Sequence, residues 1–103
     1  MKITALETIR LIEFGNLVWV RIHTDEGLVG LGETFMGAAA VEAYLHESVA
    51  PKLLGTDPLQ IEARNASLSN YLGWRSSGVE TRGNSAVDIA LWDIFGKAIG
   101  KPV

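Results

Sequence analysis

The segment Ser85–Ile99 has helical periodicity but carries apolar residues around its whole circumference. Only three charged residues interrupt it, and two of these, Asp93 and Lys97, form a favourable i,i+4 pair. A surface helix has one apolar stripe, whereas a helix that is apolar all round is buried all round. The chain's own sheet can cover only one side. We therefore expect a second domain or a partner subunit to cover the other side, which includes Ile89 and Trp92.

The composition favours one folded domain. Of 103 residues, 48% are hydrophobic and 20% are charged, so the chain can form a core. A net charge of -3 offers no electrostatic basis for binding nucleic acid. The absence of cysteine excludes a disulfide scaffold, a thiolate metal site and a cysteine nucleophile. No signal peptide or membrane helix is predicted, because charged residues interrupt every apolar run. These features predict a cytoplasmic domain.

Three strands are predicted in the first third of the chain. Ile3–Phe14 is rich in β-branched and apolar residues, Leu17–Thr24 alternates between two faces, and Leu28–Thr34 follows an acidic, glycine-containing turn. Short connections between consecutive strands are typical of an antiparallel meander. Gly30 and Gly32 share a face of the third strand, which predicts that another element packs close to the backbone there.

Three helices are predicted after the strands. Ala38–Leu54 has an apolar stripe, and Pro51 is expected to kink or restart this helix. Asp57–Leu72 begins with an aspartate suited to the N-cap and a proline suited to the first helical position. The last helix is expected to begin at Ser85, with Asp88 as its capping partner. Strands followed by helices predict an α+β fold.

The last helix also resembles a known family pattern. Residues 85–103, SAVDIALWDIFGKAIGKPV, resemble the A-x-D-x-A-L-W-D-x-x-G-K-x-x-G-x-P helix of the mandelate racemase/muconate-lactonizing branch of the enolase superfamily. The opening strand Met1–Thr4, the hairpin Thr24–Glu33 and the junction Leu53–Pro58 are similar to the same family. The resemblance therefore covers essentially the whole chain, in order and at suitable spacings.

The resemblance implies that residues 1–103 are an N-terminal domain that caps a C-terminal modified TIM barrel. In that family the barrel carries the Asp/Glu/Glu ligands of Mg²⁺ and the Lys or His acid/base groups, and the enzymes remove a proton α to a carboxylate. No position here matches those motifs, so no catalytic or metal-binding residue is assigned and the chain alone is expected to be inactive. The implied enzyme is an acid-sugar dehydratase, or a racemase or cycloisomerase, acting on a small carboxylate substrate as a homo-oligomer.

Two loops are implied to shape the substrate pocket. In the family they lie over the barrel mouth, and here they correspond to 14–17 and 34–37. Strand direction alternates in a meander, so the chain leaves the first and third strands at the same edge. Phe35 and Met36 in the second loop are bulky and apolar, so we expect them to be buried either at a pocket rim or by internal packing. The candidate residues are Phe14, Gly15, Asn16, Thr34, Phe35, Met36 and Gly37.

Other polar residues have ordinary structural explanations. His23 and His46 lack the spacing of metal ligands and are predicted to be structural. Glu33 is either solvated or adjacent to the pocket. Arg75 and Arg82 either clamp an interface or an acidic substrate, or are exposed loop arginines. A non-catalytic alternative also explains the apolar helix: a stand-alone binding or oligomerisation module would bury it against a copy of itself.

Overall fold

Three strands form one antiparallel sheet in the computed structural model, which describes residues 1–68 and 78–100. The strand order is β1-β2-β3, and the helices follow along the chain. This architecture confirms the predicted α+β meander followed by helices. The elements are β1 (Ile3–Ile9), β2 (Leu17–Thr24), β3 (Val29–Phe35), α1 (Ala38–Tyr44), a π-helical segment (Leu45–Val49), α2 (Ala50–Leu53), α3 (Ile61–Leu68) and α4 (Gly78–Ile99).

The core lies between one face of the sheet and the helices. In β2, Val18, Val20 and Ile22 are fully buried, whereas Arg21 between them is exposed. This is the predicted alternation, because successive side chains of a strand point to opposite faces. The helices contribute their own buried aliphatic residues to the same core: Val41, Leu45, Val49, Leu53, Ala86, Val87, Ala90, Leu91 and Ile94.

Helix α4 packs directly on the backbone of β3. A Cβ atom placed on Gly30 would overlap the carbonyl oxygen of Ala90, and one placed on Gly32 would overlap that of Ala86. The two glycines and two alanines thus remove side-chain bulk from both sides of the contact. The predicted close approach at the glycines is confirmed, and the approaching element is the apolar helix itself.

The same helix also covers part of the exposed sheet edge. Strand β3 lies at the edge of the sheet, and the Leu31 N–H donates a 2.9 Å hydrogen bond to the Asp93 carboxylate. The Lys97 ammonium donates to the Val29 carbonyl at 2.6 Å and lies 3.0 Å from Asp93. The predicted i,i+4 pair is confirmed, and it occupies backbone groups that would otherwise offer a template for another strand.

The first helical region changes its hydrogen-bonding pattern before Pro51. Helix α1 leads into the π-helical segment, where the Ala50 N–H bonds to the Leu45 carbonyl, and α2 follows. A proline inside an α-helix has no N–H to donate, and its ring clashes with the carbonyl four residues earlier. The local widening to a π turn accommodates that clash. The predicted kink or restart therefore takes the form of a π-helical insert.

Strand β1 is shorter than predicted. It ends at Ile9, and Ile12–Phe14 forms a 3₁₀ turn in which the Phe14 N–H bonds to the Leu11 carbonyl at 3.1 Å. Leu11, Ile12 and Phe14, whose apolar character is typical of a buried strand, are exposed on or beside this turn.

The predicted start of the second helix is also wrong. The Asp57 carboxylate accepts the Leu59 N–H at 2.9 Å, which closes a local turn instead of capping a helix. Helix α3 begins at Ile61, after the Gln60 carbonyl accepts the Arg64 N–H at 3.0 Å. The predicted end near Leu72 lies outside the described residues.

Helix α4 begins at Gly78, so the predicted capping pair at Ser85 and Asp88 lies inside the helix. Asp88 instead accepts a 2.8 Å hydrogen bond from the Asn65 amide, which ties α4 to α3. The first turns of α4 are polar and contain glycine, which obscured them in the sequence. They are held by tertiary contacts: the Tyr44 hydroxyl donates to the Asn84 side chain at 2.6 Å.

Replacing either β3 glycine by alanine should destabilise the protein. The added Cβ must push α4 away from β3, and overpacking of this kind typically costs about 1–3 kcal/mol of unfolding free energy. Urea denaturation of Gly30→Ala and Gly32→Ala measures the effect. Gly15→Ala is the matched control, because Gly15 has φ −59° and the nearest atom to its added Cβ is 4.0 Å away. Equal stability of Gly32→Ala and Gly15→Ala would contradict the close-packing argument.

Candidate functional site

The two candidate loops lie side by side at one end of the sheet, where β2 begins and β3 ends. The Met36 N–H donates a 2.9 Å hydrogen bond to the Asn16 carbonyl. In the strands that lead from and into the loops, Leu17 is opposite Phe35 and Val18 is opposite Thr34. A backbone contact therefore joins loop residues that are far apart in sequence. We call residues 14–16 and 34–37 the loop pair.

The loop pair presents apolar side chains to solvent. Phe14 and Phe35 are each 54% exposed and Met36 is 46% exposed, while Ile12 on the adjoining 3₁₀ turn is 99% exposed. Phe14 packs edge-on against Trp19 with ring centroids 6.4 Å apart. We call Ile12, Phe14, Phe35 and Met36 the apolar rim. Internal packing does not bury the rim in this chain, in contrast to Thr34, which is buried.

Met36 has an unusual backbone conformation. Its φ of +67° lies in the left-handed region, and Gly37 follows with φ +64°. For a residue with a side chain this region costs on the order of 1–3 kcal/mol, so the conformation persists only where the surrounding structure holds it. Two contacts hold Met36: its N–H bonds to Asn16, and its sulfur accepts an N–H of Arg82 at 3.8 Å.

A groove of about 440 Å³ adjoins the first loop. Its polar lining is the ion pair of Arg10 and Glu42, whose closest atoms are 3.4 Å apart. The second Glu42 oxygen accepts the Thr8 hydroxyl at 2.7 Å, and His46 Nε2 lies 2.9 Å from the same hydroxyl. Since Thr8 has one hydroxyl proton and donates it to Glu42, the His46 ring donates to Thr8. His46 is therefore part of a hydrogen-bonded network between β1 and the first helical region.

Sequence reasoning missed this groove. Thr8 lies in β1 and Arg10 just after it, whereas Glu42 lies in α1, beyond two further strands, so no local motif links them. Only the packing of the first helical region beside the end of β1 brings them together.

Residues 4–103 match the sequence profile of the family described as mandelate racemase / muconate lactonizing enzyme, N-terminal domain. The chain belongs to this family. The relatives agree with the match. A D-mannonate dehydratase of Novosphingobium aromaticivorans is 41% identical over 105 residues, a stretch that covers 100% of this chain and 26% of the relative.

Solved structures show the same domain within larger chains. An enolase of the mandelate racemase subgroup from Agrobacterium tumefaciens has a TM-score of 0.96 and 64% identity, covering 99% of this chain and 28% of that one. An enolase from Pantoea ananatis with bound D-gluconate and magnesium has a TM-score of 0.87 and 41% identity, covering 95% and 25%. This member of the family thus spans about a quarter of the length of its relatives.

One side of α4 remains uncovered in this family domain. Ile89 is 48% exposed and Trp92 is 42% exposed, and the Trp92 ring packs edge-on against Phe95 with centroids 5.5 Å apart. The opposite side of α4 carries Ala86 and Ala90 against β3. The apolar circumference predicted from the sequence is therefore only half covered by the chain's own sheet.

Within residues 1–68 and 78–100, no group of three His, Cys, Asp or Glu side chains is placed to hold a metal ion. Two of the acidic residues of α4, Asp88 and Asp93, bond to Asn65 and to the Leu31 N–H of β3 respectively. The described part of this domain therefore does not provide the ligands of a Mg²⁺ site. In the same part of the chain, none of the helices combines the length and apolarity needed to cross a bilayer.

An ion cluster lies on the sheet face away from the helices. The Arg21 guanidinium donates two hydrogen bonds to the Glu7 carboxylate, at 2.9 and 3.0 Å, and His23 Nε2 donates to it at 2.9 Å. These bonds, that from Arg21 first, lower the pKa of Glu7 from its ordinary 4.5 to about 2. His23 is thus engaged with Glu7 and does not face the loop pair.

The Glu7 cluster should make stability depend on pH under acidic conditions. Because the pKa of Glu7 is lower in the folded state, its contribution is fully present above pH 4.5 and is lost as the pH falls from 4.5 towards 2. The difference in unfolding free energy between the wild type and Glu7→Gln should therefore be constant above pH 4.5 and shrink below it. Chemical denaturation at several pH values measures this difference.

The matched comparison repeats Glu7→Gln in an Arg21→Gln background, where the principal cause of the lowered pKa is gone. The pH-dependent part of the difference should then be smaller. A difference that stays flat between pH 4.5 and 2 in the wild-type background would show that the cluster does not stabilise the fold.

Proposed function

We propose that residues 1–103 are the N-terminal capping domain of a Mg²⁺-dependent enzyme that dehydrates acid sugars by removing a proton α to the carboxylate. The observation that carries the proposal is the loop pair: two loops joined by the Met36–Asn16 hydrogen bond present an apolar rim at one edge of the domain. Family membership supports the type of enzyme, and the choice of dehydration follows the named relatives.

The relatives support the substrate class. They include a D-mannonate dehydratase and a D-galactonate dehydratase from Verminephrobacter eiseniae, which is 42% identical over 100% of this chain. The enolase from Pantoea ananatis holds D-gluconate and magnesium. All three ligands or substrates in these names are six-carbon acid sugars, with a carboxylate at one end and hydroxyl groups along the chain. We propose a substrate of this class for the whole enzyme.

In this proposal the domain contributes shape rather than chemistry. Metal and acid/base groups belong to the barrel domain, where bound Mg²⁺ would stabilise the developing enolate. The apolar rim closes over the substrate, excludes water and discriminates between substrates by their fit. Two residues anchor the rim. The Asn16 carbonyl accepts the Met36 N–H, and the buried Thr34 side chain holds the end of β3.

The uncovered side of α4 has a role in the same proposal. Ile89 and Trp92 would be covered by the barrel domain or by a partner subunit of a homo-oligomer, which accounts for an apolar patch on a domain of this size. The cytoplasmic location predicted from the composition stays a prediction.

Removing rim side chains should lower catalytic efficiency in the full-length enzyme. Phe35→Ala or Met36→Ala should reduce kcat/KM for D-mannonate, D-gluconate or D-galactonate by roughly 10–200-fold, the scale of lost apolar pocket contacts. Mg²⁺ affinity should stay nearly unchanged, because the rim holds no metal ligand. Steady-state kinetics and a Mg²⁺ titration measure both quantities.

Asp25→Asn and Glu26→Gln are the matched controls for this experiment. Both residues lie in the β2–β3 turn at the opposite edge, near the chain's amino terminus. They should leave the kinetics unchanged. A change in specificity for these controls, with none for the rim variants, would show that the wrong edge faces the substrate.

Residues 1–103 alone should show no dehydratase, racemase or cycloisomerase turnover with Mg²⁺. The Glu7, Glu42 and Asp93 carboxylates already have hydrogen-bond or ion-pair partners within the domain, and the proposal assigns the reactive groups to the barrel. Acid-sugar assays on the purified chain test this expectation. Turnover that survives repurification would contradict the division of roles. A full-length protein that lacks a barrel would instead support a stand-alone oligomerisation module.

A further inference from the structure

Helix α4 contacts β3 along the whole length of the strand. The helix runs antiparallel to β3, so Lys97 meets Val29, Asp93 meets Leu31, and the alanine–glycine contacts follow in the middle. The final contact of this series is between Arg82 and Met36, one residue beyond the end of the strand. The helix therefore reaches the loop pair at its strained residue.

Met36 is the residue where three parts of the fold meet. Its N–H bonds to the first loop at Asn16, its φ of +67° sets the direction of the second loop, and its sulfur bonds to Arg82 of α4. A left-handed non-glycine residue persists only where its neighbours hold it. Loss of one of these contacts should therefore loosen the join between the two loops.

We propose that Arg82 is a positioning residue that holds Met36 in its left-handed conformation and thereby keeps the loop pair together as one unit. The effect expected on the kinetics rests on the proposed function, because it assumes that the loop pair faces the substrate. The positioning of Met36 by Arg82 does not depend on that assumption. Arg82 acts through Met36, so it shapes the rim without touching the substrate.

The geometry makes a guanidinium suitable for this role. Arg82 is half-buried at the start of α4, and its planar group offers five N–H donors, one of which reaches the Met36 sulfur at 3.8 Å. Thioether sulfur is a weak acceptor but a polarizable one, and the long methionine side chain adapts to the position of its partner. This contact restrains the Met36 side chain, whereas the bond with Asn16 restrains its backbone.

Hydrogen exchange of the full-length protein without substrate tests the proposal. Arg82→Met removes the donors while keeping a long side chain, and it should speed exchange of the Met36 amide by about 2- to 3-fold, the effect of losing a hydrogen bond at the weak end of the usual range. The Leu31 amide, which bonds to Asp93, should keep its rate and thereby show that α4 remains folded on β3. Arg21→Met, on the far face of the sheet, is the control and should change neither amide.

Met36→Leu provides a second, independent variant. It removes the sulfur acceptor at nearly constant size, and it should speed exchange of the amide at residue 36 to a similar extent. Arg82→Met added to Met36→Leu should have little further effect, because both changes remove the same contact. Additive effects of the two changes would overturn the proposal.

Kinetics of the same variants separate positioning from direct binding. If Arg82 positions Met36, Arg82→Met should lower kcat/KM only where the Met36 side chain contributes, so its effect should shrink in the Met36→Ala background. A raised KM with unchanged exchange at Met36 would overturn the proposal, because Arg82 would then bind the substrate itself. Faster exchange without any kinetic effect of Phe35→Ala or Met36→Ala would support the positioning role and contradict only the proposed function.

Discussion

The close contact between the β3 backbone and helix α4 is the interaction on which the rest of the domain depends. Gly30 and Gly32 have no side chains, and Ala86 and Ala90 have the smallest ones, so helix and strand approach until backbone meets backbone. This distance sets what the helix can reach. At this separation, Asp93 and Lys97 reach backbone groups on the edge of β3, and Arg82 reaches the Met36 sulfur. A larger residue at either glycine would move all three contacts at once.

Three clusters of charged residues stabilise the structure. Glu7 is held by Arg21 and His23, Glu42 by Thr8 and Arg10, and Asp93 by Lys97 and a strand amide. Each of these carboxylates already has its hydrogen-bond donors within the chain. Among the described residues, the domain also presents apolar surface to a ligand or a neighbouring domain, both at the rim and on the uncovered side of α4. This distribution favours a contribution through shape and exclusion of water.

The errors of prediction are informative about the same surfaces. The β-branched and apolar composition of Ile3–Phe14 predicts a strand over the whole segment, yet Leu11, Ile12 and Phe14 are exposed on or beside a 3₁₀ turn. An apolar sequence pattern predicts burial but does not identify the surface that would bury the residues. An exposed apolar loop is therefore easily predicted as a strand. The late start predicted for α4 has the opposite cause. Its first turns are polar, and contacts such as that of Tyr44 with Asn84 hold them in the helix.

The sequence by itself determined the order of strands and helices, the buried face of β2, the glycine stripe of β3 and the family of the chain. These features depend on local periodicity and on residues that are close in sequence, so they can be recognised without coordinates. Only the tertiary structure decided that Met36 is left-handed, that it joins Asn16 to Arg82, and that Arg10 and Glu42 line a groove. Those contacts link residues far apart along the chain, and their geometry follows from how closely α4 packs on β3 and the first helical region packs on β1.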